Sequence, residues 1–242
     1  MSEVAAKLIS ATKCYGKKKV LDHIDIELPF GKILGLIGPS GSGKTTTIKC
    51  LMGMEKLDKG HAQIFDTSIP NRKILHEIGY MGQSDALYES LTARENLVFF
   101  GNLMGLGGAK LKQAIDKNMK LVNLENELHQ IVNTFSGGMK RRLSLAITLL
   151  SNPNLIILDE PTVGIDPSLR KDIWKQLNIL TEENKSVIVT THVMGEAECC
   201  DYIGLIMEGR LFTMGTPKEL KEKFGVNSIE EVFIKAEAEM KS

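Results

Sequence analysis

Between Ile24 and Leu28 the chain alternates apolar and polar residues, the period of a half-buried strand, and Pro29 to Gly31 then breaks the run. An antiparallel β-layer near the start is expected. From Lys32 onward the alternation gives way to short apolar runs, Ile33 to Ile37, Leu155 to Leu158 and Val187 to Thr190, each followed by a polar loop. Strands apolar on both faces are covered on both faces, so these read as buried parallel strands. Between the last two, Leu169, Ile173, Leu177 and Leu180 recur at helical spacing along Pro167 to Glu183. Strand, helix and strand in that order imply a right-handed crossover in an α/β sheet.

Residues 84–133 carry no strong strand signal and several helical stretches. Thr92 and Glu95 have the spacing of a capping box, which opens one of them. A mostly helical subdomain is therefore expected as an insertion in the α/β core. Near the C-terminus, Ser228 and Glu231 repeat the capping-box spacing, and Ile229, Val232, Phe233 and Ala236 share one face. That pattern predicts a terminal helix that docks on something.

With 43% hydrophobic and 25% charged residues over 242 positions, the composition is that of a folding globular chain. Thirty basic residues balance thirty acidic ones, which gives no support for nucleic acid or an acidic membrane surface as the main partner. Met1 to Lys13 lacks the apolar core of a secretory signal, so a cytoplasmic location is expected. No apolar run approaches the roughly 20 residues that cross a bilayer. Cys14, Cys50, Cys199 and Cys200 have neither CxxC spacing nor neighbouring histidines, and read as reduced structural thiols. His23, His61, His76, His129 and Trp174 also read as structural.

The chemistry begins where the first buried strand ends. Gly38, Pro39, Ser40, Gly41, Ser42, Gly43, Lys44 and Thr45 fit G-x-x-x-x-G-K-[ST], and a helix is expected from about Thr46. Glycines let backbone N–H groups converge on a phosphate, Lys44 can reach the β- and γ-phosphates, and Thr45 offers a hydroxyl to Mg²⁺. A second apolar strand, Leu155 to Leu158, delivers Asp159 and Glu160 at its carboxyl end, where open α/β sheets bind ligands. Asp159 can hold Mg²⁺ through water, and Glu160 can polarise an attacking water as a general base. These two motifs alone suit GTPases, kinases, helicases and many ATPases.

The order of further motifs narrows the class. Phe135-Ser136-Gly137-Gly138-Met139 precedes the Asp159-Glu160 strand and resembles the signature motif of ABC ATPases. Val163 to Asp166 resembles the family's D-loop, His192 its switch histidine, Gln83 its Q-loop glutamine, and Tyr15 the aromatic residue that stacks on adenine. Together the motifs span Tyr15 to His192 in the family's order. Structurally, Ser136 also reads as a helix N-cap and Asp166 as an N-cap followed by proline. The basic run Lys140 to Arg142 reads as a solvated face rather than a nucleic-acid site. Phe135 and Met139 stand where the commonest signature has Leu and Gln, a variation that resembles the ABC-2 type exporter group, as does the ending Ser228 to Phe233.

The resemblance implies a single ABC ATPase domain over residues 1–242. Its P-loop NTPase core with an antiparallel β-subdomain would comprise about 1–83 and 151–242, with an inserted α-helical signature subdomain at about 84–150 and a helical extension from about 215. It implies ATP and Mg²⁺ as ligands, with Thr45, Gln83 and Asp159 at the metal. Tyr15, Gly38 to Thr46 and Asp166 are assigned to nucleotide binding, and Glu160, His192 and Gln83 to hydrolysis. Ser136, Gly137 and Gly138 would contact the γ-phosphate held by a second ABC ATPase subunit, in a homodimer or a heterodimer. A separately encoded transmembrane permease subunit would place the chain peripherally on the inner face of the cell membrane, with export favoured and no nucleic acid as partner. Apolar residues between Gln83 and Phe100, Leu87, Leu91, Leu97, Phe99 and Phe100 among them, exceed the needs of one small helix and suggest where that permease docks. The alternative is a single-domain, non-transport ABC ATPase on a soluble scaffold.

Overall fold

Alternating residues carry the start of the chain into a sheet. β1 (Val4–Tyr15) and β2 (Lys18–Pro29) pair antiparallel around a turn at Gly16, where φ is +60°. The structure, a computed structural model, describes residues 4–241. Those residues divide into two units. One comprises the residues up to Ile74 together with those from Ser186 onward, and the other is Leu75–Lys185.

In the first unit, β3 (Ile33–Ile37) is buried at every residue and leads through the glycine-rich loop into α1 (Lys44–Leu51). β4 (Lys59–Ile64) returns antiparallel to β1, and β5 (Thr67–Ile69) pairs with β4, giving a sheet in the order β2-β1-β4-β5. Its inner face is made by Leu8, Leu21, Ile24, Leu28 and Ile64, all fully buried. Burying each such side chain contributes about 1.5–3 kcal/mol.

The second unit opens with β6 (Ile78–Met81), followed by α2 (Ala93–Leu103), α3 (Gly108–Leu121) and α4 (Gly137–Thr148). β7 (Leu155–Asp159) pairs parallel with β6, and α5 (Pro167–Glu182) follows it. Leu97, Met119, Val122, Leu143 and Ala146 pack the helices together. The close packing of α4 on β6 needs glycine at position 79, where a Cβ would lie 2.7 Å from the Thr148 carbonyl oxygen. Both arms of the Thr92 capping box form: Glu95 N–H donates to Thr92 Oγ1 at 3.1 Å, and Thr92 N–H to Glu95 Oε2 at 2.8 Å.

The chain then completes the first unit with β8 (Ser186–Thr191), α6 (Met194–Ala197), β9 (Tyr202–Met207) and β10 (Arg210–Gly215). β3 runs parallel between β8 and β9, while β10 forms an antiparallel hairpin with β9. Two helices end the chain, α7 (Pro217–Phe224) and α8 (Ile229–Lys241). The expected terminal helix buries Ile229, Val232 and Ala236 against α6 and α7, while Phe233 is half-buried. Its capping differs in detail from the expected box. Glu231 N–H donates to Ser228 Oγ at 3.2 Å, but the Glu231 carboxylate accepts from Asn227 N–H at 2.8 Å. Among the described residues no helix is long and apolar enough to cross a membrane.

Candidate nucleotide-binding site

Gly38 to Thr46 leave the carboxyl end of β3 and turn into α1. Gly38 passes so close to β9 that a Cβ would stand 2.0 Å from the Ile206 carbonyl oxygen, and its φ is +150°. Gly43 starts α1 in the left-handed region at φ +110°, with no side chain capping the helix. The start of a helix concentrates N–H donors and the positive end of its dipole, which suits an anion. Lys44 is 7% exposed, and its ammonium donates to the carbonyls of Gly38 at 2.8 Å and Pro39 at 3.0 Å. Among the described residues the buried Ser42 hydroxyl has no hydrogen-bond partner. A buried cation, an orphaned hydroxyl and an uncapped helix start within one loop fit a chain of phosphates. Thr45 and Thr46 lie half-buried in the first turn.

Two further candidates belong to the same unit. Tyr15 ends β1 with 45% of its surface exposed, and the Lys13 ammonium sits over its ring, 4.9 Å from the centroid. Lys13 is itself held by Glu55 at 3.2 Å and by the Lys56 carbonyl at 2.9 Å. Burial and then the Glu55 carboxylate push the Tyr15 hydroxyl above its ordinary pKa. One ring face is therefore taken by a cation. His192, directly after β8, is exposed. Its turn is fixed by Thr191, whose hydroxyl donates to Glu196 at 2.7 Å and accepts from Val193 N–H at 3.0 Å.

The second unit gathers Gln83, Ser136 to Gly138, Asp159, Glu160 and Asp166. β6 ends just before Gly82 and the exposed Gln83, and the neighbouring β7 delivers Asp159, 1% exposed, followed by Glu160. Glu160 has φ +54°, the left-handed region that a non-glycine residue enters only when its surroundings hold it there. Burial, then the Asp159 charge, push the Tyr80 hydroxyl up from its ordinary pKa.

The residue that joins these strand ends is one that the sequence reading assigned to a solvated face. Arg141 is 5% exposed. Its guanidinium donates to the carbonyls of Gly82 at 2.6 Å, Gln83 at 3.2 Å and Glu160 at 2.8 Å, and also to the carbonyl of Asp159. Asp85 pairs with it at 3.3 Å and accepts from Ser144 at 2.9 Å. The flanking residues are also engaged: Lys140 pairs with Glu89 at 2.6 Å, and Arg142 donates to Val122 and Asn123 carbonyls. The solvated-face expectation therefore fails at Arg141. A signal was present, since Arg141, Leu145 and Thr148 share one stripe of α4 and all three are buried.

Ser136 caps α4, its hydroxyl accepting from Met139 N–H at 3.3 Å, and leaves Ser136 and Gly137 exposed. Gly138 touches the loop after β7: a Cβ there would stand 3.0 Å from the Gly164 carbonyl oxygen. Asp166 caps α5 through Leu169 N–H at 3.0 Å, with Pro167 in the first turn. That N–H, with the Ser168 hydroxyl, holds the Asp166 carboxyl below the usual carboxylate range.

Comparison with known proteins agrees with this architecture. Residues 21–163 match the family described as ABC transporter, and the chain belongs to that family. It is 39% identical over 233 residues to the Nod factor export ATP-binding protein I of Sinorhizobium fredii, covering 95% of this chain and 68% of that protein. It is 38% identical over 212 residues to the probable multidrug ABC transporter ATP-binding protein YbhF of Escherichia coli, covering 87% of this chain and 37% of that protein. An Arabidopsis thaliana ABC transporter A family member is 39% identical over 213 residues, 86% of this chain, and the chain spans only 23% of its length. Among solved structures, an ATP-binding subunit of an ABC transporter superposes with a TM-score of 0.88 at 26% identity, covering 96% of this chain and 99% of that one. A dimeric cassette described as a post-hydrolysis state bound to ADP and Pi gives 0.79 at 26% identity, covering 87% and 98%. The fold is that of a P-loop ABC ATPase cassette.

Proposed function

We propose that this chain binds and hydrolyses ATP as the nucleotide-binding subunit of an ABC transporter, working in pairs on a separate transmembrane partner, in the direction of export. The observation that carries the reading is the loop after β3, where Lys44 is folded onto its own loop carbonyls beside an uncapped helix start. The relative named for Nod factor export supports the direction.

Lys44 exchanges its loop carbonyls for phosphate oxygens, and the N–H groups at the start of α1 receive the same anion. Tyr15 stacks its uncovered face on the base. Thr45, Asp159 and Gln83 would hold Mg²⁺, which when bound neutralises charge on the phosphate oxygens. Glu160 orients a water and takes its proton as the water oxygen attacks the terminal phosphorus and the bond to the ADP oxygen breaks. His192 would contact the γ-phosphate. Ser136, Gly137 and Gly138 of a second subunit supply N–H groups from the start of α4, and Asp166 lies in the loop that this contact adjoins.

The partner contact is assigned to the segment from Gln83 to Met104. Tyr88 and Phe99 are exposed, edge-to-face at 4.8 Å, and Leu103 and Met104 beside them are exposed too. Leu97 is core instead, fully buried. A cavity of about 170 Å³ lined by Met81, Leu87, Phe100, Met104 and Ile147 adjoins them, a shape that suits the apolar face of a cytoplasmic helix.

Glu160→Gln tests the reading. It is expected to lower the hydrolysis rate by roughly 10²–10⁴ while the protein still binds MgATP and dimerises with ATP but not with ADP. Lys44→Ala is expected to bind nucleotide weakly and stay monomeric, and a Glu160→Gln protein hydrolysing at the wild-type rate overturns the base assignment. Co-purification with a soluble scaffold in place of a membrane protein would favour the non-transport alternative.

A further inference from the structure

Arg141 stands where three pieces of the second unit meet. It lies on the first turns of the signature helix, four residues after Gly137. Its Nη1 reaches the carbonyls of Gly82 and Gln83 and the Asp85 carboxylate, and its Nη2 reaches the carbonyls of Asp159 and Glu160. A planar guanidinium can serve both groups at once because its two terminal nitrogens diverge in a fixed fork, which an ammonium cannot imitate. The backbone it grips at Glu160 is held at φ +54°, a conformation that relaxes unless its neighbours prevent it.

We propose that Arg141 is a positioning residue for hydrolysis: it locks the left-handed backbone of Glu160 and ties it to the Gln83 segment, so that the Glu160 carboxylate stands where the attacking water is. Arg141 touches neither nucleotide nor water in this account. The inference rests on Glu160 being the general base. A misplacement of a reacting group by about 1 Å can cost about 100-fold in rate, which sets the scale of the effect.

The test is steady-state ATPase kinetics of the full chain with Arg141→Lys, which keeps the charge and the aliphatic stem and so is the variant most able to fold. The expected result is a kcat about 10- to 100-fold lower with KM for ATP within about threefold of wild type and a melting temperature only modestly lower. Arg141→Ala should be slower still and regain part of its kcat when millimolar guanidinium is added. Arg142→Lys, whose parent guanidinium donates to the Val122 and Asn123 carbonyls, is the control and should leave kcat unchanged. Arg141→Lys hydrolysing within twofold of wild type overturns the proposal, as does a fall in melting temperature and in nucleotide affinity that matches the fall in kcat. Glu160→Gln measured alongside separates the failures. If it is fully active the base assignment itself falls, whereas an inactive Glu160→Gln beside a normal Arg141→Lys sinks only the positioning role.

Discussion

In the loop after β3, position is set by backbone and by bare Cα atoms: Gly38 lies against the Ile206 carbonyl, Gly43 turns at φ +110°, and the lysine closes on carbonyls six and five residues earlier. At the end of β7, position is set by a side chain from elsewhere. Arg141 holds the carbonyls of Asp159 and Glu160 from 18 and 19 residues away, and those of Gly82 and Gln83 from 59 and 58. A backbone-built site loses its function when a methyl group is added, and a side-chain-built site loses it when a fork of donors is removed. The two regions should therefore respond to opposite kinds of substitution.

For nucleotide affinity the largest expected effect of an added methyl group is at Gly38. An alanine Cβ would need the Ile206 carbonyl to move from 2.0 Å, so Gly38→Ala is expected to weaken MgATP binding by about 100-fold, about 2.7 kcal/mol. Titration of a fluorescent ATP analogue reads it, and affinity within threefold of wild type would break the comparison. Gly41 sharpens it. There φ is +77° but no atom lies within 4 Å of an added Cβ, so Gly41→Ala should cost only the left-handed strain, about 1–2 kcal/mol, in the same titration.

Smaller effects belong to the caps. Asp166→Ala removes the acceptor for Leu169 N–H and is expected to lower the melting temperature by about 2–4 °C, seen by calorimetry. The smallest effect is on acidification. Glu95, Asp166 and Glu219 are held below the usual carboxylate range chiefly by the N–H groups of Thr92, Leu169 and Thr216. A depressed folded-state pKa contributes stability that is complete above the unfolded value, near 4, and is lost as the pH falls through the folded value. Thermal melting should therefore be nearly flat between pH 7 and about 5 and decline below about 4. In a Glu95→Gln, Asp166→Asn, Glu219→Gln protein that acid decline should be shallower. An unchanged slope would assign acid sensitivity to other carboxylates.

Much of the candidate site was legible because its motifs are contiguous. The glycine spacing from Gly38 to Thr45, the carboxylates after Leu158 and the caps at Ser136 and Asp166 each depend on neighbours within a few positions. Strands buried on both faces were equally plain, as β3, β7 and β8 appear where their apolar runs lie. The long β1 and the β9–β10 hairpin were not read from the sequence, and α7 was expected only as part of a helical extension from about 215, without the capping box that Thr216 and Glu219 form. β1 escaped because its burial drifts out of strict alternation where its register with β2 shifts, between Leu8 and Cys14.

By itself the sequence determined the class of the protein, the glycine-rich loop after β3 and the residues that end each buried strand, because these follow from local spacing and from the period of burial. Tertiary structure alone decided that Arg141 is buried, that Glu160 is held in a left-handed conformation, and that Lys13 covers one face of Tyr15. A charge is placed by whichever acceptors the fold brings within about 3 Å of it, and those acceptors are backbone carbonyls that every residue carries and no residue name reveals.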